Sequence, residues 1–143
     1  MMAEFDLVVR HGTVVTDTSR HEDCDVAVLN GHIAALGRGL GRGREEIEAR
    51  DRLVLPGGVD AHCHVAQVSS TGLTTADDFH SAGVSAACGG TTTIIPFAAQ
   101  HRGQSLRKVV DDYHEHARRS FVDYAFHLIV SDPAETVLQD ELH

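Results

Sequence analysis

Leu53-Val54-Leu55-Pro56-Gly57-Gly58-Val59-Asp60-Ala61-His62-Cys63-His64-Val65 is the stretch on which the reading of this chain turns. An apolar run passes through Pro56, Gly57 and Gly58 and ends in three polar residues spaced two apart, Asp60, His62 and His64. Successive side chains of a strand point to opposite faces, so a strand here is expected to turn all three the same way. Two imidazoles about 7 Å apart along a strand can aim ring nitrogens at one metal ion at about 2.0 to 2.1 Å. Asp60 is read as a further ligand, or as a partner behind the ligands that orients a ring. Cys63 falls on the opposite face and is expected to pack as a small hydrophobe.

Histidine is abundant, with 11 in 143 residues. Chance alone places roughly 0.8 His-x-His pairs in such a chain, so secondary-structure context must separate a ligand pair from coincidence. The second pair, His114 and His116, lies in 105–119, where Leu106, Val109, Val110, Tyr113 and Ala117 follow helical spacing. On a helix, positions two apart diverge by about 200° and cannot share a metal. The strand pair is the one that can.

Length and composition fit one ordinary folded domain: 143 residues, 42% hydrophobic and 23% charged, with no apolar run long enough for a membrane span. The first residues carry neither a basic region nor an apolar segment, so a cytoplasmic location is expected. Cys24, Cys63 and Cys88 are an odd set without Cys-x-x-Cys spacing, against both a disulfide framework and a zinc knuckle. A formal charge of −9 disfavours a nucleic-acid partner.

Before the central stretch, 5–15 reads as two β-branched runs broken at His11-Gly12, and Asn30-Gly31 between apolar runs is a strong hairpin signal. The first 50 or so residues are therefore expected to form a small antiparallel sheet. Gly37, Gly39, Gly41 and Gly43 alternate with arginines, but no Lys-Ser or Lys-Thr follows, so the segment reads as a mobile turn-rich loop with solvated arginines and not as a phosphate cradle.

After Pro56 the grammar changes. Thr75 with Asp77 and Asp78 predicts a helix start capped by Thr75, running to Gly89-Gly90 over a lean face of Phe79, Ala82, Gly83, Ala86 and Ala87. The β-branched run 91–97 predicts a strand buried on both faces. The helix 105–119, a strand over 122–130 and a further helix opened by Asp132-Pro133 follow. Alternating strands and helices predict βα units around a parallel sheet, whose chemistry collects at the C-terminal strand ends. His62 and His64 stand at such an end.

Residues 57–65, together with Ala87-Cys88-Gly89-Gly90-Thr91-Thr92-Thr93-Ile94-Ile95-Pro96-Phe97 and Val122-Asp123-Tyr124-Ala125-Phe126-His127, resemble the amidohydrolase superfamily in its hydantoinase and dihydropyrimidinase branch. The resemblance runs from about Phe5 to the end. It implies an α/β fold: the first βα units of a distorted (β/α)8 barrel over 53–143, preceded by strands of a small β-sandwich over 1–52. It implies a binuclear Zn2+ centre with His62 and His64 as two ligands. The other implied ligands, a carboxylated lysine, two histidines and an aspartate, match no position here. Lys108 is the only lysine and falls off the apolar face of a helix. His80, His101 and His127 are left as possible pocket residues.

A complete barrel needs about 250 residues, so the chain is expected to be the front of a longer enzyme, inactive alone, with the proton-shuttling carboxylate beyond His143. The implied reaction is ring opening of a small cyclic amide, hydantoin or dihydropyrimidine, by a homotetramer. The loop 66–74, with Gln67, Val68, Ser69, Ser70, Thr71 and Leu73, is expected to wall the substrate pocket. Dihydroorotase and allantoinase would use a cationic residue for an acidic substrate, and no Arg or Lys follows His64 until Arg102. A non-catalytic scaffold relative would be expected to have lost the histidines.

Overall fold

A computed structural model describes residues 3–69 and 71–142. The chain divides into two compact units, with the boundary between Pro56 and Gly57.

The N-terminal unit is a five-stranded sheet in which β1 (Phe5–Val15) is central. Beside it run β2 (Arg20–Leu29) and β3 (His32–Gly37), both antiparallel to their neighbours. Asn30 (φ 52°) and Gly31 (φ 76°) both take the left-handed conformation at the β2–β3 turn, as the hairpin signal requires. On its other edge β1 pairs in parallel with β4 (Gly43–Glu48) and then β5 (Leu53–Val54). The sheet is thus mixed, where an antiparallel one was expected. Leu53 and Val54 belong to it, so the unit boundary falls later than the 52/53 division read from sequence.

His11-Gly12 does not break β1. His11 takes a φ of 55° and the β1–β2 register shifts between Val9 and Gly12, a bulge within one continuous strand. The amide freed by the bulge is satisfied, because His11 N–H donates to Asp25 Oδ1 at 3.0 Å. Asp25 also accepts from Arg10 Nη1 at 3.1 Å and from Leu40 N–H at 3.2 Å. Arg10 in turn donates to the carbonyls of Leu40 (2.8 Å) and Gly41 (3.0 Å). The glycine-rich loop expected to be mobile is therefore tied to the sheet by a buried carboxylate and its arginine.

The C-terminal unit alternates strand and helix: β6 (Gly58–Cys63), α1 (Phe79–Cys88), β7 (Thr91–Ala99), α2 (Leu106–Ala117), β8 (Asp123–Tyr124) and β9 (His127–Ile129), then a π-helical turn at Val137–Glu141. All strand pairs are parallel, with β7 flanked by β6 on one side and by β8 and β9 on the other. The expected strand over 122–130 is divided at Ala125-Phe126, where Phe126 packs into the core. That core is Val65, Phe79, Ile94 and Ala117, with Cys63, Tyr113, Tyr124 and Phe126 against it.

Local chemistry explains these bounds. Asp78, not Thr75, caps α1, because Ser81 allows a reciprocal pair: Ser81 N–H donates to Asp78 Oδ1 (2.8 Å) and Asp78 N–H to Ser81 Oγ (3.2 Å). At Gly83 on α1 an added Cβ would lie 2.9 Å from the backbone nitrogen of Phe121, so the missing side chain sets the approach of that segment. At Gly57, just before β6, an added Cβ would overlap the Thr92 side chain, so the missing side chain allows the approach to β7. On β7 burial alternates: Ile94, Pro96 and Ala98 are buried, whereas Thr93, Ile95 and Phe97 are only partly so. One face of β7 is therefore covered, not both, and the half-open face carries Phe97.

Candidate metal centre

His62 is the penultimate residue of β6 and His64 follows the strand's end. Their ring centroids are 5.5 Å apart at an interplanar angle of 78°. Phe97 supports both, with its ring centre 4.7 Å from His62 and 5.3 Å from His64, stacked on the latter. Across the sheet Phe97 pairs in register with His127, and their ring centres are 5.0 Å apart. Three histidines, carried by the strands on either side of β7, thus surround one phenylalanine near its C-terminal end.

The rings are not equivalent. His127 Nε2–H donates to the Ala61 carbonyl at 2.9 Å, bracing the strand tip between Asp60 and His62. His64 Nδ1 is hydrogen-bonded to Gln67 Oε1. Asp60 reaches the site through the backbone: its Oδ1 accepts the His62 N–H at 3.1 Å. The expected role of turning a ring falls, for His64, to Gln67 instead. The β6–β7 register shifts between Asp60 and Cys63, and this bulge takes Asp60 out of simple alternation with the histidines. Asp60 lines a depression with His64, Cys63, Ile94 and Ala86, on the side facing α1. Burial, aided by the Asp60 charge, pushes the Cys63 thiol up, which keeps it a protonated packing residue.

The loop after His64 divides its residues between two surfaces. Gln67, Ser69, Leu73 and Thr75 line a depression that includes His64. Val68 faces a second cleft, with Ala99, His101, Tyr113 and His116. Ser70 lies outside the described residues. His80 packs on Phe121 (5.0 Å), away from His62 and His64. His114 packs on Phe126 (5.0 Å) while His116 lines the second cleft, so the helical pair diverges as expected. Lys108 is exposed and paired with Asp112 at 2.9 Å.

Imidazole nitrogens suit zinc, and two of the four positions of a tetrahedral zinc can be filled by His62 and His64. Among the described residues no group of three or more His, Cys, Asp or Glu is close enough to hold a metal ion. The residues present fit part of a metal centre and leave its other ligands to be supplied. Sequence reasoning missed Phe97, because its part in the site depends on register with β6 and β9. The alternation of β7 held the available signal, since Phe97 is the bulky residue of the half-open face nearest the strand's C-terminal end.

The paired imidazoles stand at the C-terminal end of a strand in a parallel βα sheet, where the chemistry of such folds collects. No family model matches the chain. It is 41% identical over 136 residues to a D-hydantoinase of Rhizobium radiobacter, covering 94% of this chain and 29% of that protein. It is 35% identical over 137 residues to a dihydropyrimidinase of Dictyostelium discoideum, covering 94% of this chain and 27% of that one. A solved D-hydantoinase structure superposes with a TM-score of 0.87 at 41% identity, over 94% of this chain and 29% of the other. Over 94% of its length the chain is thus homologous to D-hydantoinases and dihydropyrimidinases, members of the amidohydrolase superfamily. It spans less than a third of the length of these relatives.

Proposed function

We propose that this chain is the metal-holding front of a longer cyclic amidohydrolase that opens the ring of a hydantoin or a dihydropyrimidine by hydrolysis. The observation that carries the reading is the convergence of the His62 and His64 rings at the mouth of a parallel sheet, in a chain 41% identical to a D-hydantoinase. In the complete protein the sheet would close as a distorted (β/α)8 barrel, with 1–52 contributing to a β-sandwich.

His62 and His64 would hold a zinc ion of a binuclear centre, with a carboxylated lysine from elsewhere in the protein as the bridge. When bound, zinc supplies Lewis acidity toward a ring carbonyl and lowers the pKa of water. The chain's own residues do the rest of what is proposed here. Phe97 packs against both rings and holds them side by side. His127 fixes the carbonyl of Ala61, so the strand tip cannot retreat when the histidines are loaded. The depression formed by His64, Gln67, Ser69, Leu73 and Thr75 sets an apolar wall at Leu73 beside polar side chains, where an exocyclic substituent would lie. This mixture suits a substituted hydantoin. A carboxylate beyond this chain would carry the proton to the leaving nitrogen. Assembly as a tetramer and action in the cytoplasm are part of the same proposal, the tetramer resting on the family alone.

The complete protein, purified with zinc, is expected to open hydantoin or dihydrouracil, and His62→Ala to lose most metal and more than about 100-fold of the activity. Metal analysis finding no zinc, manganese or cobalt in an active preparation overturns the proposal. So does turnover by the 143 residues alone.

A further inference from the structure

The loop that follows β6 carries a residue, Gln67, whose side chain reaches the His64 ring. Ala66 adopts a left-handed φ of 51°, a conformation that non-glycine residues rarely take and that turns the chain back under His64. The turn is held from outside, since Ala66 N–H donates to the Asp77 carbonyl at 2.9 Å. Gln67 is then clamped twice to Thr75: its N–H donates to Thr75 Oγ1 at 3.0 Å, and its carbonyl accepts Thr75 N–H at 2.9 Å. A backbone fixed at these points delivers the Gln67 amide oxygen to His64 Nδ1. An amide oxygen only accepts, so with Gln67 Oε1 as its partner Nδ1 of the neutral ring is the donor and Nε2 keeps its lone pair.

We propose that Gln67 is a positioning residue that holds His64 in the Nδ1–H tautomer and thereby presents Nε2 as its metal-binding nitrogen. The inference rests on the metal reading of His62 and His64 and adds the group that decides which nitrogen is offered. It also gives Thr75 a purpose other than the helix cap expected of it, since both of its bonds to Gln67 orient that side chain. His127 is the internal contrast. Its Nε2–H is committed to the Ala61 carbonyl, so the same ring type in the same cluster is set in the opposite tautomer.

Long-range proton–nitrogen correlation spectra of the metal-free, 15N-labelled complete protein at alkaline pH test this. His64 is expected to be chiefly Nδ1–H. Gln67→Met, similar in length but without the amide oxygen, is expected to shift its population toward Nε2–H, and Gln67→Glu to restore it. His127 keeps its Nε2–H form throughout, which reports that the strand tip is intact. In the complete protein, Gln67→Met is expected to weaken zinc binding about 10- to 100-fold, with Gln67→Glu recovering it. A wild-type His64 found as Nε2–H, or a tautomer unmoved by Gln67→Met, overturns the inference while leaving the metal reading in place. Absence of zinc from the active complete protein, with the tautomer pattern intact, does the reverse.

Discussion

Replacing Asp25 by Asn is expected to cost the N-terminal sheet about 3 kcal/mol, near the low end of the 3–5 kcal/mol found when one partner of a buried ion pair is removed. Asp25 is 2% exposed and its two oxygens meet three donors: His11 N–H, Leu40 N–H and Arg10 Nη1. An asparagine offers one oxygen and puts an N–H where the other stood, so at least one buried donor loses its acceptor. Arg10 keeps Glu46 at 2.7 Å and two carbonyls, which is why the low end is expected. Acid adds a second signature. Burial pushes the Asp25 carboxyl up, but the amides of His11 and Leu40 and the Arg10 guanidinium outweigh it, and its pKa lies below the ordinary value. Its stabilisation is therefore complete above the unfolded carboxylate pKa, about 3.9, and is lost as pH falls through the lower folded value. Urea unfolding read by hydrogen exchange of β1 and β2 amides should show the gap of about 3 kcal/mol near neutrality. The gap should shrink below about pH 3.9. A loss under about 1 kcal/mol, or a gap that does not change with pH, would refute the reasoning.

Further outcomes follow from single contacts. Gly83→Ala places a Cβ against the Phe121 backbone and should lower stability by about 1–3 kcal/mol in thermal unfolding, despite alanine's better helix propensity. Ala66→Gly relieves a left-handed residue, worth about 1–2 kcal/mol, against about 0.5–1 kcal/mol of added chain entropy; the net change should be small and stabilising, whereas Ala66→Val should destabilise. Lys108→Ala removes an exposed pair to Asp112 and should change stability by no more than about 0.5 kcal/mol, with metal content of the complete protein unaltered. A loss of metal in that variant would make Lys108 the bridging lysine and contradict its placement on α2.

Much of the fold was legible because its signals are local. Asn30-Gly31 specifies a turn by its own backbone preferences, and Ser105 caps α2 by a bond to Lys108 N–H only three residues on. The βα alternation after Pro56 and the opposite fates of His62/His64 and His114/His116 follow from the periods of strand and helix. Cys63 packing into the core follows from the same alternation. What escaped the sequence was decided between segments far apart in the chain. The parallel addition of β4 and β5 to β1 needs a loop pinned by Arg10 and Asp25, and neither residue advertises a partner about 15–30 positions away. Asp78 caps α1 through its reciprocal bonds with Ser81, a local signal that the expectation of Thr75 overlooked, whereas the engagement of Thr75 by Gln67 is a contact no periodicity encodes.

By itself, then, the sequence determined the alternation of strands and helices after Pro56 and that two imidazoles stand at the end of one strand, since those are properties of the chain's own period. Tertiary structure alone decided that Phe97 and His127 complete the cluster, that Asp60 binds an amide in place of a ring, and that Gln67 answers His64. Each of these depends on strand register, a bulge or a left-handed turn, where a shift of one residue reverses which face a side chain occupies.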